Sequence, residues 1–493
     1  MPSVGYAHLL QQLPLSAFAP ERPARVASVM RVTATVDAIL VPAHVAPTGD
    51  DPLEHVLFAL KHEGIQLQIL AQALRHIPDA VIRDAVRRTP SGSYIRMAGF
   101  LWEAFNRRTL DDLPAITGPT VKLFDPRRYL TGPVRRDPRW RVSFNGLGSL
   151  QYCATVARTP SIEDLLSYDI LARAQAFLAE LGPAATDRAL SWAYLHETES
   201  SFAIERETPG ADKAEAFVSL LRQAHQRRPL DESYLVELQN AAITNPFDKA
   251  AAFRHQQNWL RGPLRGAAGI TYLPPPPQWV PGLMAELLAF ANGAAREIDP
   301  LVAAAIASFG FVFIHPFMDG NGRLSRFLFH YVLAQSGHLE PGLLLPVSVA
   351  MKRNEGAYLE ALQHYSRPMR QRWSVRWLGD EDYDFRFQDD DSLYRYWDAT
   401  PCVEFGLSMA RQALEKDLRE ETEFLARYDR IYKAIDDRFD VRGSDLTTLV
   451  ISALQNQGMV SNNRRKQFHL SVPETVFEAI EQVCAEVLAG PGD

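Results

Sequence analysis

Cysteine is scarce in this 493-residue chain: there are three, Cys153, Cys402 and Cys484, far apart and odd in number. No CxxC and no Cys/His ligand spacing accompanies them, which excludes a disulfide framework and a zinc-binding module. They read as small buried hydrophobes in a reducing compartment. Long apolar runs are missing as well. The most apolar segment, 301–314, falls short of the ~18 residues a membrane span requires, so it predicts a buried core helix and no membrane partner. The first 20 residues have no basic stretch leading into an apolar run, so no secretory signal is read and a cytoplasmic location is expected. Neither sign of charge dominates. With 52 Lys+Arg against 59 Asp+Glu the net charge is -7, which gives no chain-wide basic surface for nucleic acid.

The remaining composition, 46% hydrophobic and 23% charged, is that of a soluble globular protein. The length predicts two or three domains. Residues 1–160 read as a mixed α/β region of unknown role, with strand signals over 26–41 and helical periodicity over 52–77 and 94–107. The stretch 124–148, rich in Arg, Pro and Gly, reads as irregular connection. A mainly α core is expected over 161–375, with helices near 162–181, 187–207, 213–223, 233–243, 280–295 and 300–314. Four consecutive prolines, Pro274 to Pro277, interrupt it, because proline lacks the amide donor and clashes with the preceding turn. The stretch before them, 269–272, reads as a short exposed strand or hairpin. Acidic residues (Asp380, Glu381, Asp382, Asp384, Asp389, Asp390, Asp391) mark a boundary, and a helical C-terminal domain is expected over 376–493.

The chemistry concentrates in His315-Pro316-Phe317-Met318-Asp319-Gly320-Asn321-Gly322-Arg323-Leu324-Ser325-Arg326. Asp299-Pro300 opens a helix in the N-cap and N1-proline manner, and its run is apolar nearly all round, hence central. Pro316 then ends it, leaving an imidazole at the tip of a buried element. Gly320-Asn321-Gly322 forms a loop of little bulk at the start of a second helix, which Gly337 closes. Free amide hydrogens and the positive dipole end favour anions there. Asp319 is a hard oxygen ligand suited to Mg²⁺ bridging phosphates. Arg323 and Arg326 lie three apart on one helix, with forks suited to polyphosphate oxygens. His315 has an ordinary pKa of about 6.5 and can take a proton from a hydroxyl near neutral pH. Base, metal ligand, anion nest and arginines within a dozen residues describe a phosphoryl-transfer site.

This segment resembles the motif of the Fic family: His, any, Phe, any, Asp or Glu, Gly, Asn, Gly, Arg, two of any, Arg. Every fixed position is matched, and the likeness extends over about 187–370. It implies a Fic-type helical core with a short β-hairpin flap, and a protein adenylyltransferase that moves AMP from ATP to a Ser, Thr or Tyr hydroxyl of a target protein or of itself. His315 would be the base and Asp319 the Mg²⁺ ligand. Gly320, Asn321, Gly322, Arg323 and Arg326 would bind ATP, with Tyr358 in the adenine pocket, although core packing suits Tyr358 and Leu362 equally. Gly322 stands where the related Doc kinases carry lysine, which favours nucleotidyl transfer over phosphorylation. A flap between Arg265 and Tyr272 would dock the target by strand addition.

Upstream, Ser201 and Glu205 resemble the family's inhibitory motif: Ser or Thr, three of any, Glu, then Gly or Asn. Arg206 departs from its last position. A carboxylate at Glu205 would compete with ATP for Arg326, and the same residue would serve removal of AMP in a bifunctional relative. Three rival readings stand beside this one: transfer from UTP or CDP-choline, a regulator that binds DNA through a helix-turn-helix-like element at 444–466, and a silent adaptor. The complete His315, Asp319 and arginine set argues against the adaptor. A homodimer is left open.

Overall fold

The computed structural model describes residues 2–243, 245–379 and 382–489, and the fold is mainly α with short strands. The chain divides into two compact units. The first takes Met1–Asp169, Thr198–Gly342 and Met351–Met409; the second takes Ile170–Glu197, Leu343–Ala350 and Ala410–Asp493. Neither respects the sequence boundaries at 160/161 and 375/376. The first unit joins residues from both sides of each.

In the first unit, residues of the N-terminal 150 build one hydrophobic cluster around Tyr6, Leu70, Trp102 and Trp140, and Tyr396 joins it from far along the chain. The join is also made by backbone. Tyr396–Asp398 pairs in parallel with Cys153–Thr155, which pairs antiparallel with Leu147–Gly148. The stretch 124–148 is therefore not irregular throughout: Arg135–Asp137 and Val142–Phe144 form a paired hairpin with Val121–Lys122 beside it. The helical signal over 52–77 splits into Pro52–His62 and Leu67–Ala73, because Gly64 takes a left-handed turn at φ 101. Likewise 162–181 splits at Asp169, φ 51.

The centre of this unit is a helix pair. Pro300–Ile314 is capped by Asp299, whose carboxylate accepts from the Leu301 and Val302 amides at 3.0 Å each. Fourteen of its fifteen residues are buried, as its all-round apolar run requires. Asn321–Gln335 follows after a six-residue turn and is itself largely buried.

The acidic stretch falls inside the first unit and not at a boundary. Trp373–Gly379 and Asp382–Phe387 form an antiparallel hairpin. Its inward residues Trp373, Val375, Tyr383, Phe385 and Phe387 pack with Trp259, Ile270 and Leu273. Asp384 pairs with Arg376 and Arg386, Asp390 with Arg75, and Asp391 with Arg395. Asp380 and Glu381 lie outside the described residues.

In the second unit, Gly443–Gln455, Asn462–Phe468 and Glu474–Leu488 surround a core of Ile435, Leu449, Val450, Phe477 and Ile480. Arg465, one of three basic residues behind the helix-turn-helix reading, pairs with Glu474 and, at 2.6 Å, with Glu481. All three cysteines are buried free thiols. Among the described residues no helix is long and apolar enough to cross a membrane.

Candidate active site

The site is assembled at the turn between the two central helices. His315 occupies the left-handed region, φ 52 and ψ 61, and its amide closes the preceding helix on the Phe311 carbonyl at 2.9 Å. Its Nδ1 lies 2.9 Å from the Val312 carbonyl oxygen. A carbonyl can only accept, so Nδ1 carries the proton and Nε2 keeps its lone pair. Burial drives the imidazole pKa down to about 4. The Val312 bond opposes that shift, Arg254 adds to it, and the charges of Glu205 and Asp319 oppose it. The ring is a neutral base across the physiological range.

Beyond His315, Phe317 turns back into the interior, where it meets Phe253 with ring centroids 5.5 Å apart. Asn321 clamps this turn from both sides: its Oδ1 accepts from the Phe317 amide at 2.9 Å and its Nδ2 donates to the Phe317 carbonyl at 2.8 Å. Gly320 precedes the second helix at φ 85, a conformation that suits glycine. Among the described residues no side chain caps this helix. Its first intrahelical bond is from Leu324 to Gly320 at 3.0 Å, so the amides of Asn321, Gly322 and Arg323 have no acceptor within the helix.

The two arginines diverge. Arg323 is 1% exposed; it donates to Glu207 and to the Ala242 carbonyl at 3.0 Å, lies 3.2 Å from Asp319, and stacks over Phe202. Arg326 donates to the Ser201 hydroxyl at 2.8 Å, the Ser201 carbonyl at 2.6 Å and the Glu205 carboxylate at 3.0 Å. Spacing puts both arginines on one helix; of the two, Arg326 is the one that donates to the Glu205 carboxylate. That carboxylate also lies over the nest: a Cβ on Gly322 would collide with Glu205 Oε1 and lie 2.7 Å from its Cδ. Glu205 is thus a built-in anion at the uncapped helix N-terminus.

Ser201 and Glu205 lie at the end of Pro183–Ile204, and Arg206 takes φ 61. Gly or Asn is favoured at such a position because left-handed backbone is cheapest for them. Arg206 adopts the same turn, so the departure from the motif leaves the geometry of the helix end intact. Tyr358 stacks on Phe405, centroids 5.6 Å apart, with Phe309 at 6.0 Å. Burial raises its pKa, and the neighbouring Arg326 opposes the rise. Its ring belongs to an aromatic cluster with its polar end toward the same arginine as Glu205.

The flap is a hairpin of Leu260–Arg261 and Ile270–Tyr272, joined through a turn at Gly266–Gly269. Arg370 braces it, donating to the Ile270 carbonyl at 2.9 Å and the Ala267 carbonyl at 3.0 Å. Leu260, Leu264 and Thr271 are exposed. Sequence reasoning missed Arg254 altogether. It is buried, and it ties the His315 and Pro316 backbone to Pro275. Nothing periodic marks it; a lone arginine among aromatic and amide side chains was the only signal.

A neutral base beside an uncapped helix start, with an arginine held ready for an anion, is the class of site that handles phosphate esters. Residues 229–333 match the Fic/DOC family model. Protein adenylyltransferase fic-1 of Caenorhabditis briggsae is 30% identical over 145 residues, 29% of this chain and 26% of that protein. Protein adenylyltransferase Fic of Drosophila mojavensis is 36% identical over 95 residues, 19% of this chain and 17% of that protein. The matched stretches thus span about a quarter or less of these relatives' length. A solved Fic family protein from Desulfovibrio desulfuricans G20 aligns over 64% of this chain and 92% of that chain, at 21% identity and a TM-score of 0.40.

Proposed function

We propose that the chain is a protein adenylyltransferase restrained by its own Glu205. The observation that carries this is the single-tautomer imidazole of His315, held neutral beside the start of the Asn321–Gln335 helix, with the Glu205 carboxylate over Gly322. In the reaction a Ser, Thr or Tyr hydroxyl oxygen of the target forms a bond to the α-phosphorus of ATP. The bond from that phosphorus to the bridging oxygen breaks, pyrophosphate leaves, and the hydroxyl proton passes to His315 Nε2. The nest amides and Arg326 neutralise the phosphates in a fixed array, and positioning and electrostatics supply the rate. Asp319 is partly exposed and offers a hard carboxylate oxygen, which would hold a hard divalent cation such as Mg²⁺. When bound, such an ion offsets the charge of the leaving pyrophosphate. Arg323, 3.2 Å from Asp319, positions this carboxylate beside the phosphates that Arg323 and Arg326 would neutralise. The exposed flap strand Leu260–Arg261 suits docking of an extended target segment. The assignment to the cytoplasm belongs to this proposal, as does the choice of ATP over UTP or CDP-choline.

The test incubates the protein with Mg²⁺ and α-labelled ATP, comparing wild type, Glu205→Gly and His315→Ala, and locates the adduct by mass spectrometry. An added mass of AMP that depends on His315 is expected. UTP and CDP-choline run in parallel; label from either in place of ATP overturns the donor assignment.

A further inference from the structure

The carbonyls at the end of the buried helix have an unusual set of partners. A helix leaves its last four carbonyls without intrahelical donors, and at a site open to solvent water normally meets them. Here protein groups reach every one. Phe311 accepts from the His315 amide, Val312 from the His315 ring, Phe313 from the Tyr272 hydroxyl at 2.5 Å, and Ile314 from Arg254 at 3.5 Å. The following carbonyls are held too. His315 accepts from Arg254 Nε at 2.7 Å, Pro316 from the Arg254 amide at 2.7 Å, and Phe317 from Asn258 at 2.7 Å. The same guanidinium donates to Pro275 at 2.6 Å, inside the proline run that follows the flap, and to Gln256 at 3.0 Å.

From this geometry we propose that Arg254 is the positioning residue of the site. By bonding the backbone of His315 and the proline run of the flap with one planar fork, it holds the imidazole in the orientation that commits Nδ1 to Val312 and leaves Nε2 to the reaction. The inference rests on His315 being the base. Three features favour it over a merely structural arginine. First, Arg254 is 4% exposed, and among the described residues it faces carbonyl dipoles and the hydroxyls of Tyr272 and Tyr394, with no carboxylate in ion-pair reach. A structural arginine buried for stability is ordinarily paired with an acid. Second, a guanidinium fixes direction where an ammonium would not, and here its Nε and Nη2 serve the two segments that must keep register, the histidine turn and the end of the flap. Third, left-handed backbone at a non-glycine residue persists only where its surroundings hold it, and His315 has no other side chain bonded to its carbonyl among the described residues. The positive charge also faces the negative end of the helix dipole and disfavours protonation of the ring.

The experiment uses the full chain carrying Glu205→Gly, with Arg254→Met and Arg254→Lys added separately. In steady-state transfer from ATP, Arg254→Met is expected to lower kcat at least tenfold while KM for ATP changes less than twofold, since the nest and the Asn321 clamp are untouched. Arg254→Lys, which keeps charge but not the fork, is expected to restore only part of kcat. Nitrogen-15 spectra of the histidine rings give a second readout that needs no turnover. The single Nδ1–H form of His315, assigned by its loss in His315→Ala, is expected to become a mixture in Arg254→Met. Should the Met variant fail to fold, the Lys variant carries both measurements. If Glu205→Gly itself transfers nothing, the adenylyl assignment fails while the ring spectra still decide the positioning claim. Unchanged kcat with a preserved single tautomer overturns it, as does equal loss in kcat and ATP affinity.

Discussion

Removing the carboxylate at Glu205 is the sharpest perturbation the structure offers. Glu205 Oε1 lies 3.0 Å from Arg326 Nη2, the arginine being 2% and the glutamate 37% exposed at the side chain. A hydrogen bond between charged groups contributes about 1.5–3 kcal/mol when sheltered. With one partner more than a third exposed, solvent screening reduces this to about 1–2 kcal/mol. ATP must displace that contact to reach Arg326 and the Gly322 amide, so Glu205→Gly is expected to tighten ATP binding by roughly 5–30-fold. Calorimetric titration of Mg²⁺-ATP gives the affinity, and initial rates of label incorporation give the consequence. Glu205→Gln, which keeps the bulk over Gly322 but loses the charge, is expected to fall between. Glu199→Gln, exposed on the same helix, is the control and should change neither. A folded Glu205→Gly protein whose ATP affinity stays within twofold of wild type would refute the competition argument.

Four further outcomes follow from named contacts. His315→Ala in the Glu205→Gly chain should abolish transfer yet keep ATP affinity within a few fold, since the nest is backbone; loss of binding would place the ring in nucleotide recognition instead. Because the folded His315 pKa of about 4 lies below the free value of 6.5, the unfolded chain binds the extra proton between them. Stability is therefore full above about pH 6.5 and falls toward pH 4, by about 3 kcal/mol from this residue, and His315→Gln should flatten that part of a melting-temperature profile. Glu63 runs the other way: burial raises its pKa to about 8, so the unfolded chain loses a proton that the folded one keeps, and stability drops from about pH 4.5 to 8. Glu63→Gln should remove that drop, seen as a higher melting temperature at pH 8. Arg206→Gly should keep ATP affinity at the wild-type level and raise stability by at most about 1 kcal/mol, the relief of left-handed strain less the added freedom of the unfolded chain.

The twelve residues from His315 were legible because the turn they form is local: proline, glycines and helix starts act on their own neighbours. The helices were legible for the same reason, by period, although Gly64 and Asp169 each broke one that periodicity joined. What stayed hidden depended on distance along the chain. The partners of Arg323 and Arg326 diverge: Glu207 and Ala242 meet the first, while Ser201 and Glu205 meet the second. Arg254 sits 61 residues before the histidine it serves. The hairpin after residue 372 did carry a signal. Trp373, Val375 and Trp377, then Tyr383, Phe385 and Phe387, alternate with polar residues at period two. Acidic residues crowd its turn, and their charge masks that alternation. At Arg206 the expected letters, Gly or Asn, stood for a backbone conformation that another residue can adopt at a cost.

The match to the family model runs from residue 229 to residue 333, yet the flap is braced by Arg370 and packed against the Trp373–Phe387 hairpin, while Arg326 is gripped from Ser201 and Glu205. A fragment cut to the matched stretch would keep every residue from His315 to Arg326 and lose both the support of the flap and the contacts that Ser201 and Glu205 make to Arg326. It would expose Ile270 and Leu273 to water, and insolubility or unregulated labelling by such a fragment would report on the missing flanks, not on the catalyst. Any expression or drug-screening effort is therefore best framed on a span running from before Ser201 to beyond Phe387.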